Sequence, residues 1–258
     1  LEKGHVFTTK TDSEVLIHGF EEWGSELLGR LRGMFGFAIW NTKDRSLFLA
    51  RDYFGIKPLH YCVQNGRFLY GSEIKSLLAF PGFEKKFNAR ALDSYVSFEY
   101  VVPPETFFEG VYALMPSHYL WYRDGKVETH RYWEPKFAPD ESMTEEQAVS
   151  AIEKVFEESV AAHKISDVEV GCFLSSGVDS SYVSTYFAGQ KTFTVGFDYG
   201  DRYNEIDFAK DLSEKIGLEH HYKVISADEY WGNIRKVQYH MDQPLADASC
   251  IALYFVSK

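Results

Sequence analysis

Hydrophobic and polar positions along the chain follow two different rhythms. From Ser13 to Leu31, apolar side chains recur at Val15, Leu16, Phe20, Trp23, Leu27 and Leu31, close to the helical period, which predicts a helix. From Met34 to about Arg131 the pattern is that of strands. MFGFAIW, SLFLAR, PLHYCV and RFLYGS are short aromatic and β-branched runs separated by NTKDR, DYFGIK and the Asn65-Gly66 pair. Asn-Gly between two such runs is a strong hairpin signal, because both central residues of the favoured turn adopt positive φ. A local antiparallel meander is therefore expected. FEGVYALMPSHYLWYRDGKVETHRYW adds strands that turn at Asp124-Gly125. A helix and antiparallel strands in separate blocks predict an α+β domain.

After Trp133 the rhythm changes. EPKFAPDESM, residues 134–143, is polar, acidic and proline-bearing, and reads as a linker. Thr144 to Gln147 has the form of a capping box, and Val149, Ile152, Val155, Phe156 and Val160 then fall on one face of a helix expected to pack onto a sheet. Strand and helix alternate beyond it. A strand is expected at 168–174, a helix from about 179 to Ala188, a strand at KTFTVGF, a helix from about 205 to Ile216 closed by Gly217, and a strand at HHYKVIS. This βαβαβ order predicts a parallel sheet, with any ligand at the carboxyl ends of its strands. The expected organisation is thus a domain over 1–133, a linker over 134–143 and a second domain over 144–258.

Composition narrows the function classes. The chain has 258 residues, a net charge of −11 and no basic run, which disfavours a nucleic-acid partner. Its three cysteines, Cys62, Cys172 and Cys250, are far apart and not in metal-ligand spacing, so buried thiols in a reducing compartment are expected. No apolar stretch has the ~20 residues of a membrane span, and LEKGHVF lacks the order of a signal peptide. A cytoplasmic protein without a membrane partner is expected. Leu1 starts without a cap and IALYFVSK is apolar in helical rhythm without a stop signal, so both ends read as cut. The aromatic content of 17% suits two cores or a homodimer interface.

GCFLSSGVDSS, residues 171–181, turns from strand to helix with more polar residues than a turn needs. A helix begun at Val178 or Asp179 presents unpaired N–H groups and a positive dipole end, a site for an anion. Gly177 lets the backbone approach closely, and Ser175, Ser176, Ser180 and Ser181 add hydroxyl donors. Asp179 reads either as an N-terminal cap, with the serines as turn residues, or as a ligand for Mg2+ carried in with phosphates. Neither G-x-x-x-x-G-K-[ST] nor G-x-G-x-x-G occurs, and no lysine lies in the loop to hold a γ-phosphate.

LSSGVDSS resembles the PP-loop of ATP pyrophosphatases, usually S-G-G-x-D-S, which cut ATP between its α and β phosphates. LARDYFGIKPLHY followed by FLYGSEIKSLL resembles the glutaminase domain of class II amidotransferases, with their R-D-x-x-G-x-[KR]-P-L motif. Their order in one chain resembles glutamine-hydrolysing asparagine synthetases, and DQPLADAS resembles that family's acidic segment. The resemblance implies a partial α+β N-terminal-nucleophile (Ntn) αββα glutaminase domain. A partial α/β Rossmann-like PP-loop adenine-nucleotide α-hydrolase domain would follow it. It implies ATP-dependent synthesis of asparagine from L-aspartate and L-glutamine through β-aspartyl-AMP, with AMP and pyrophosphate released.

Carried over residue by residue, the ATP contacts are Phe173, Ser175, Ser176, Gly177, Asp179, Ser180 and Val195, the last through its backbone to adenine, with Asp179 also the Mg2+ ligand. A core strand valine is equally compatible with Val195. Asp12 matches the aspartate that holds the glutamine α-amino group, and equally suits a helix cap. Asp242 and Asp247 are assigned to the border of the synthetase pocket, with Asp247 as readily a cap of the following helix.

Two departures stand out. Ser176 replaces the usual glycine, so a backbone conformation that serine accepts is expected there. The family's nucleophile is an N-terminal cysteine, whereas residue 1 is leucine and none of the three cysteines takes its place. The segment carrying the nucleophile, and the S-G-[DE]-G-x-D-E segment that completes the synthetase site, are expected outside this chain. β-Lactam synthetase, which shares both domains, and a non-catalytic nucleotide-binding or interaction fragment are the alternatives.

Overall fold

The computed structural model describes residues 4–187, 189–200, 204–244, 246–247 and 249–258; Leu1 and Ala188 lie outside them. The chain divides into two compact units, residues 1–137 with 242–245, and residues 138–241 with 246–258.

In the first unit, α1 (Ser13–Trp23) ends at Gly24, whose φ is 55°, and a 3-10 segment over Gly24–Arg30 replaces the last turns of the single helix expected to Leu31. The tighter coil still buries Leu27 and Leu28 completely, which is why the apolar spacing continued past the break. The strands β1 (Gly36–Asn41) and β2 (Ser46–Arg51) pair antiparallel, as do β3 (His60–Gln64) and β4 (Arg67–Gly71). Asn65 and Gly66 sit at φ 52° and 72°, and Asp124 and Gly125 at 49° and 77°, so both expected hairpin turns form.

The expected meander does not form. With β5 (Val111–Ala113), β6 (His118–Arg123) and β7 (Lys126–Arg131), the strands divide into a four-stranded sheet, β1-β2-β6-β7, and a three-stranded sheet, β4-β3-β5. The reason lies in DYFGIK, which carries the chain from one sheet to the other. Asp52 is 1% exposed, and its carboxylate accepts from the N–H groups of Phe35, Phe54, Ile56 and Lys57. The Arg51 guanidinium donates to the carbonyls of Gly55, Lys57 and Leu114. Two short helices, α2 (Ile74–Leu78) and α3 (Ala89–Phe98), also interrupt the stretch that reads as strand.

The layers follow from strand alternation. β2 is buried on both faces: Leu47 and Leu49 point one way, into a core with Leu59, Leu114, Leu120, Tyr61 and Phe68 between the sheets. Phe48 and Ala50 point the other way, under Phe20 of α1 and Leu28. On the far face of the second sheet, Cys62 and Val111 pack against Ile74 and Leu77 of α2. Helix, sheet, sheet, helix is the αββα order of the fold expected for this unit.

The second unit opens with α4 (Glu145–His163), whose capping box between Thr144 and Gln147 forms as read. Its contact with the rest of the unit is narrower than expected. Val149, Ile152 and Val155 are 48%, 63% and 65% exposed, and only Phe156 and Val160, near its end, join the core around Cys172, Phe187 and Leu218. β8 (Cys172–Phe173) is shorter than the strand expected over 168–174, and Val168 is 76% exposed. β9 (Lys191–Phe197) and β10 (Glu219–Ile225) match their apolar runs, and the sheet is parallel in the order β10-β9-β8. Helices α5 (Val178–Thr185), α6 (Ile206–Ile216), α7 (Ala227–Met241) and α8 (Ser249–Val256) complete the unit. Ile225, Val237, Ile251 and Phe255 pack with Val195 and Phe197 over the sheet. No helix among the described residues is long and apolar enough to cross a membrane.

Candidate functional site

At the carboxyl end of β8 the chain leaves the sheet through Ser175, Ser176 and Gly177 and enters α5. A cleft of about 610 Å³ opens there, lined among others by Phe173, Ser175, Ser180, Val195, Glu205 and Tyr230. Four of the residues expected to hold a nucleotide thus share one cavity; Ser176 and Gly177 lie exposed in the same loop, and Asp179 is exposed in the first turn of α5.

The loop is held by its own hydroxyls. Ser175 Oγ and Ser180 Oγ are 2.7 Å apart, the Ser175 N–H donates to Ser180 Oγ at 3.2 Å, and the Gly177 N–H donates to Ser175 Oγ at 3.2 Å. The first turn of α5 keeps its donors. The Ser181 N–H is the first to bond within the helix, to the Gly177 carbonyl, and among the described residues the N–H groups of Val178, Asp179 and Ser180 have no acceptor. Gly177 takes the capping position, with φ −72° and no side-chain cap. Reading Asp179 as the N-terminal cap is therefore corrected: it stands inside the first turn and its carboxylate is exposed. Ser176 is not among the residues of positive φ, so the serine in place of glycine is not strained.

The Ser176 N–H donates to Glu205 Oε2 at 3.2 Å. Glu205 precedes α6 and lines the cleft, a residue that sequence pattern did not single out because an acid before a helix usually serves the helix itself.

Val195 gains a meaning from strand geometry. The Phe193 carbonyl accepts from the Leu174 N–H, so Phe193 turns its backbone toward β8. In a parallel ladder every second residue does the same, so the N–H and C=O of Val195 turn to that side as well. By then β8 has left the sheet, and the Leu174 carbonyl is taken by Thr194 Oγ1 at 2.7 Å. The Val195 peptide edge consequently opens on the cleft.

The two other acids fall elsewhere. Asp247 accepts from the Ser249 N–H at 2.8 Å and from Ser249 Oγ at 2.7 Å, bonds that hold its carboxyl below the usual range and cap the entry to α8. Asp242 does not line this cleft. It belongs to the first unit, where its carboxylate accepts from the Ile74 N–H and pairs with Lys75 Nζ at 2.8 Å at the start of α2.

In the first unit, Asp12 occupies the capping position of α1 but makes no side-chain cap bond, so its cap reading is corrected as well. The exposed carboxylate has only long contacts, at 3.4 Å, to the hydroxyls of Thr11 and Ser13. Glu14 organises the adjoining turn instead. It accepts from the N–H and hydroxyl groups of Thr8 and Thr9, and the Thr9 hydroxyl and Thr8 N–H pull its carboxyl down to about 2. Cys62 and Cys172 are buried, and burial pushes both thiols up, which makes them packing residues rather than nucleophiles.

Two family models match successive parts of the chain. A glutamine amidotransferase domain family matches residues 1–133 and an asparagine synthase family matches residues 151–258. The chain is 38% identical to asparagine synthetase [glutamine-hydrolyzing] 1 of Bacillus subtilis, over 99% of this chain and 41% of that protein. It is 39% identical to a putative asparagine synthetase [glutamine-hydrolyzing] of Mycobacterium bovis, with the same coverage of 99% and 41%. The chain therefore spans about two fifths of the length of these curated relatives. Among solved structures, a glutamine phosphoribosylpyrophosphate amidotransferase from B. subtilis aligns with 86% of this chain and 41% of its own, at 15% identity and a TM-score of 0.34. On these matches the chain belongs to the glutamine amidotransferase domain family, and its residues 151–258 match the asparagine synthase family.

Proposed function

We propose that the chain works in the ATP-dependent synthesis of asparagine from aspartate, with ammonia drawn from glutamine. The observation that carries this reading is the loop at the start of α5: three N–H groups without an acceptor among the described residues, two locking serines and no lysine. Such a loop suits the pyrophosphate portion of ATP, the group that leaves when the α–β bond breaks. An oxygen of the aspartate side-chain carboxylate attacks the α-phosphorus, the bond to pyrophosphate breaks, and β-aspartyl-AMP forms. Ammonia then attacks the activated carbonyl carbon and AMP departs with the electrons of the C–O bond.

The chain's own residues take separate parts in this scheme. Ser175, Ser176, Gly177, Asp179 and Ser180 receive the pyrophosphate, Phe173 lies beside the nucleotide, and the Val195 peptide edge meets adenine. Mg2+ fits the donor set, because an exposed Asp179 and Glu205 both border the loop, and this ion is usually held by one or two carboxylates plus substrate phosphates. Its charge would offset the two acids as the phosphates arrive. In the first unit, the Asp12 carboxylate makes no cap bond to the helix it precedes, and in this scheme it receives the glutamine α-amino group. The three free cysteines suit a reducing compartment, and we assign the reaction to the cytoplasm.

The test is product analysis of the whole protein. Release of AMP and pyrophosphate that requires both aspartate and glutamine supports the reading, and release of ADP and phosphate sinks it. For this chain, Mg-ATP binding that is lost in Asp179→Ala supports the site, and equal binding by the variant removes Asp179 from it.

A further inference from the structure

Away from the nucleotide cleft, in the first unit, two histidines and a ring of acids meet beside α1. His18 and Glu21 lie three residues apart on the helix, so they share a face. His5, from the segment before the helix, reaches the same point, with its ring centroid 4.9 Å from that of His18. His18 Nδ1 is 3.5 Å and His5 Nδ1 3.8 Å from the same atom, Glu21 Oε2. His5, His18 and Glu21 each offer one ligand atom, and these atoms all lie within 4.8 Å of one another.

The far side of each ring is also occupied. His18 Nε2 is 3.5 Å from Glu14 Oε1, and His5 Nε2 is 3.5 Å from Glu22 Oε2. A neutral imidazole has one N–H and one lone pair, yet each ring here faces a carboxylate oxygen at both nitrogens. In the neutral form each ring would set one lone pair against a carboxylate oxygen. Both nitrogens of His18 are sealed from solvent and make no hydrogen bond, and Phe7 closes the site edge-on at 4.8 Å. The separations of His18 Nδ1 and His5 Nδ1 from Glu21 Oε2 are too long for hydrogen bonds and lie near the roughly 3.4 Å between neighbouring ligands of tetrahedral zinc. An outer carboxylate on the second nitrogen is the usual partner of a metal-bound histidine.

We propose that His5 Nδ1, His18 Nδ1 and a Glu21 carboxylate oxygen form a site for a zinc-type divalent cation that pins residues 4–7 to α1, with Glu14 and Glu22 orienting the two rings. The chemistry of the set, two imidazoles and a carboxylate, favours Zn2+ over Mg2+ or Ca2+. The site stands on the first unit alone and does not depend on the reaction proposed above.

The experiment is calorimetric titration of Zn2+ into the chelator-treated chain, with Co2+ as a spectroscopic probe. The expected result is saturable binding of one Zn2+ and a visible Co2+ absorption of four-coordinate type. In both His18→Gln and Glu21→Gln, with unchanged circular dichroism, affinity should fall at least roughly tenfold. His5→Gln serves as a further variant, because it lies outside α1 and should weaken binding without disturbing the helix. The proposal is overturned by an absence of saturable Zn2+ binding, or by equal affinity in folded His5→Gln and Glu21→Gln. Either outcome would leave the two rings as packing groups between α1 and the segment before it.

Discussion

The Ser176 N–H and the Glu205 carboxylate meet across 29 residues of sequence, at 3.2 Å, at the mouth of the cleft. A donor suited to a phosphate oxygen is thus taken by an acid of the same chain. Two consequences oppose each other: the carboxylate competes with an incoming anion for that donor, and it also offers a ligand to the cation accompanying the anion.

Glu205→Gln should separate these effects. Binding of metal-free pyrophosphate should tighten about tenfold, equivalent to ~1.4 kcal/mol, because both the competition and the repulsion fall. Mg-ATP binding should gain less or weaken. Calorimetry in chelator and in Mg2+ measures both, and an unchanged pyrophosphate affinity in chelator would show that the Ser176–Glu205 contact does not compete.

Asp52→Asn should destabilise the first unit by about 2–4 kcal/mol, since a buried acceptor for four N–H groups becomes an amide with one oxygen. Urea unfolding monitored by tryptophan fluorescence would report the loss. A cost below that of an ordinary surface change would mean that the turn is held by Arg51 alone.

The same carboxylate sets a pH dependence. Burial pushes the Asp52 carboxyl up, but the N–H donors of Lys57, Ile56, Phe54 and Phe35 outweigh it, and the net shift is downward. A carboxyl lowered in the folded state contributes stability that is present above its unfolded value of about 3.9 and lost as pH falls through the folded value. Wild-type stability should therefore decline below about pH 4, with a shallower decline in Asp52→Asn. Parallel pH profiles of the unfolding midpoint for the two proteins would contradict this.

Gly196→Ala should disturb the second unit. A β-carbon at residue 196 would stand 2.6 Å from Asn204 Oδ1 and 2.6 Å from Ile206 Cδ1, where the chain enters α6. Overpacking of this kind costs about 1–3 kcal/mol, visible as a lowered Tm. Because Glu205 lies between those two residues, the Ser176 contact should loosen as well, and hydrogen exchange at the Ser176 amide should quicken.

Thr144→Ala should cost about 1 kcal/mol by removing the acceptor for the Gln147 N–H at the start of α4. Thr144→Ser should keep most of it. Equal stability of the alanine and serine variants in chemical denaturation would show that the cap adds nothing to the helix.

The sequence by itself determined whatever depends on neighbours a few residues apart. The turns at Asn65-Gly66 and Asp124-Gly125, the capping box at Thr144, the closing Gly217 and the loop entering α5 are short-range backbone chemistry, legible as residue types at fixed spacing. Apolar period fixed β2, β9 and α6 for the same reason. Tertiary structure decided what depends on distant partners. Asp52 divides the strands between two sheets by drawing in Phe35, and Asp242 caps α2 from 168 residues away. Glu205 meets Ser176 only because parallel β8 and β9 bring both loops to one end of the sheet. His5 meets His18 and Glu21 only because the chain before α1 folds back on it. Side-chain chemistry is written along the chain, but a carboxylate's choice between a cap, a turn and a ligand rests on which donors the packed fold brings within about 3 Å.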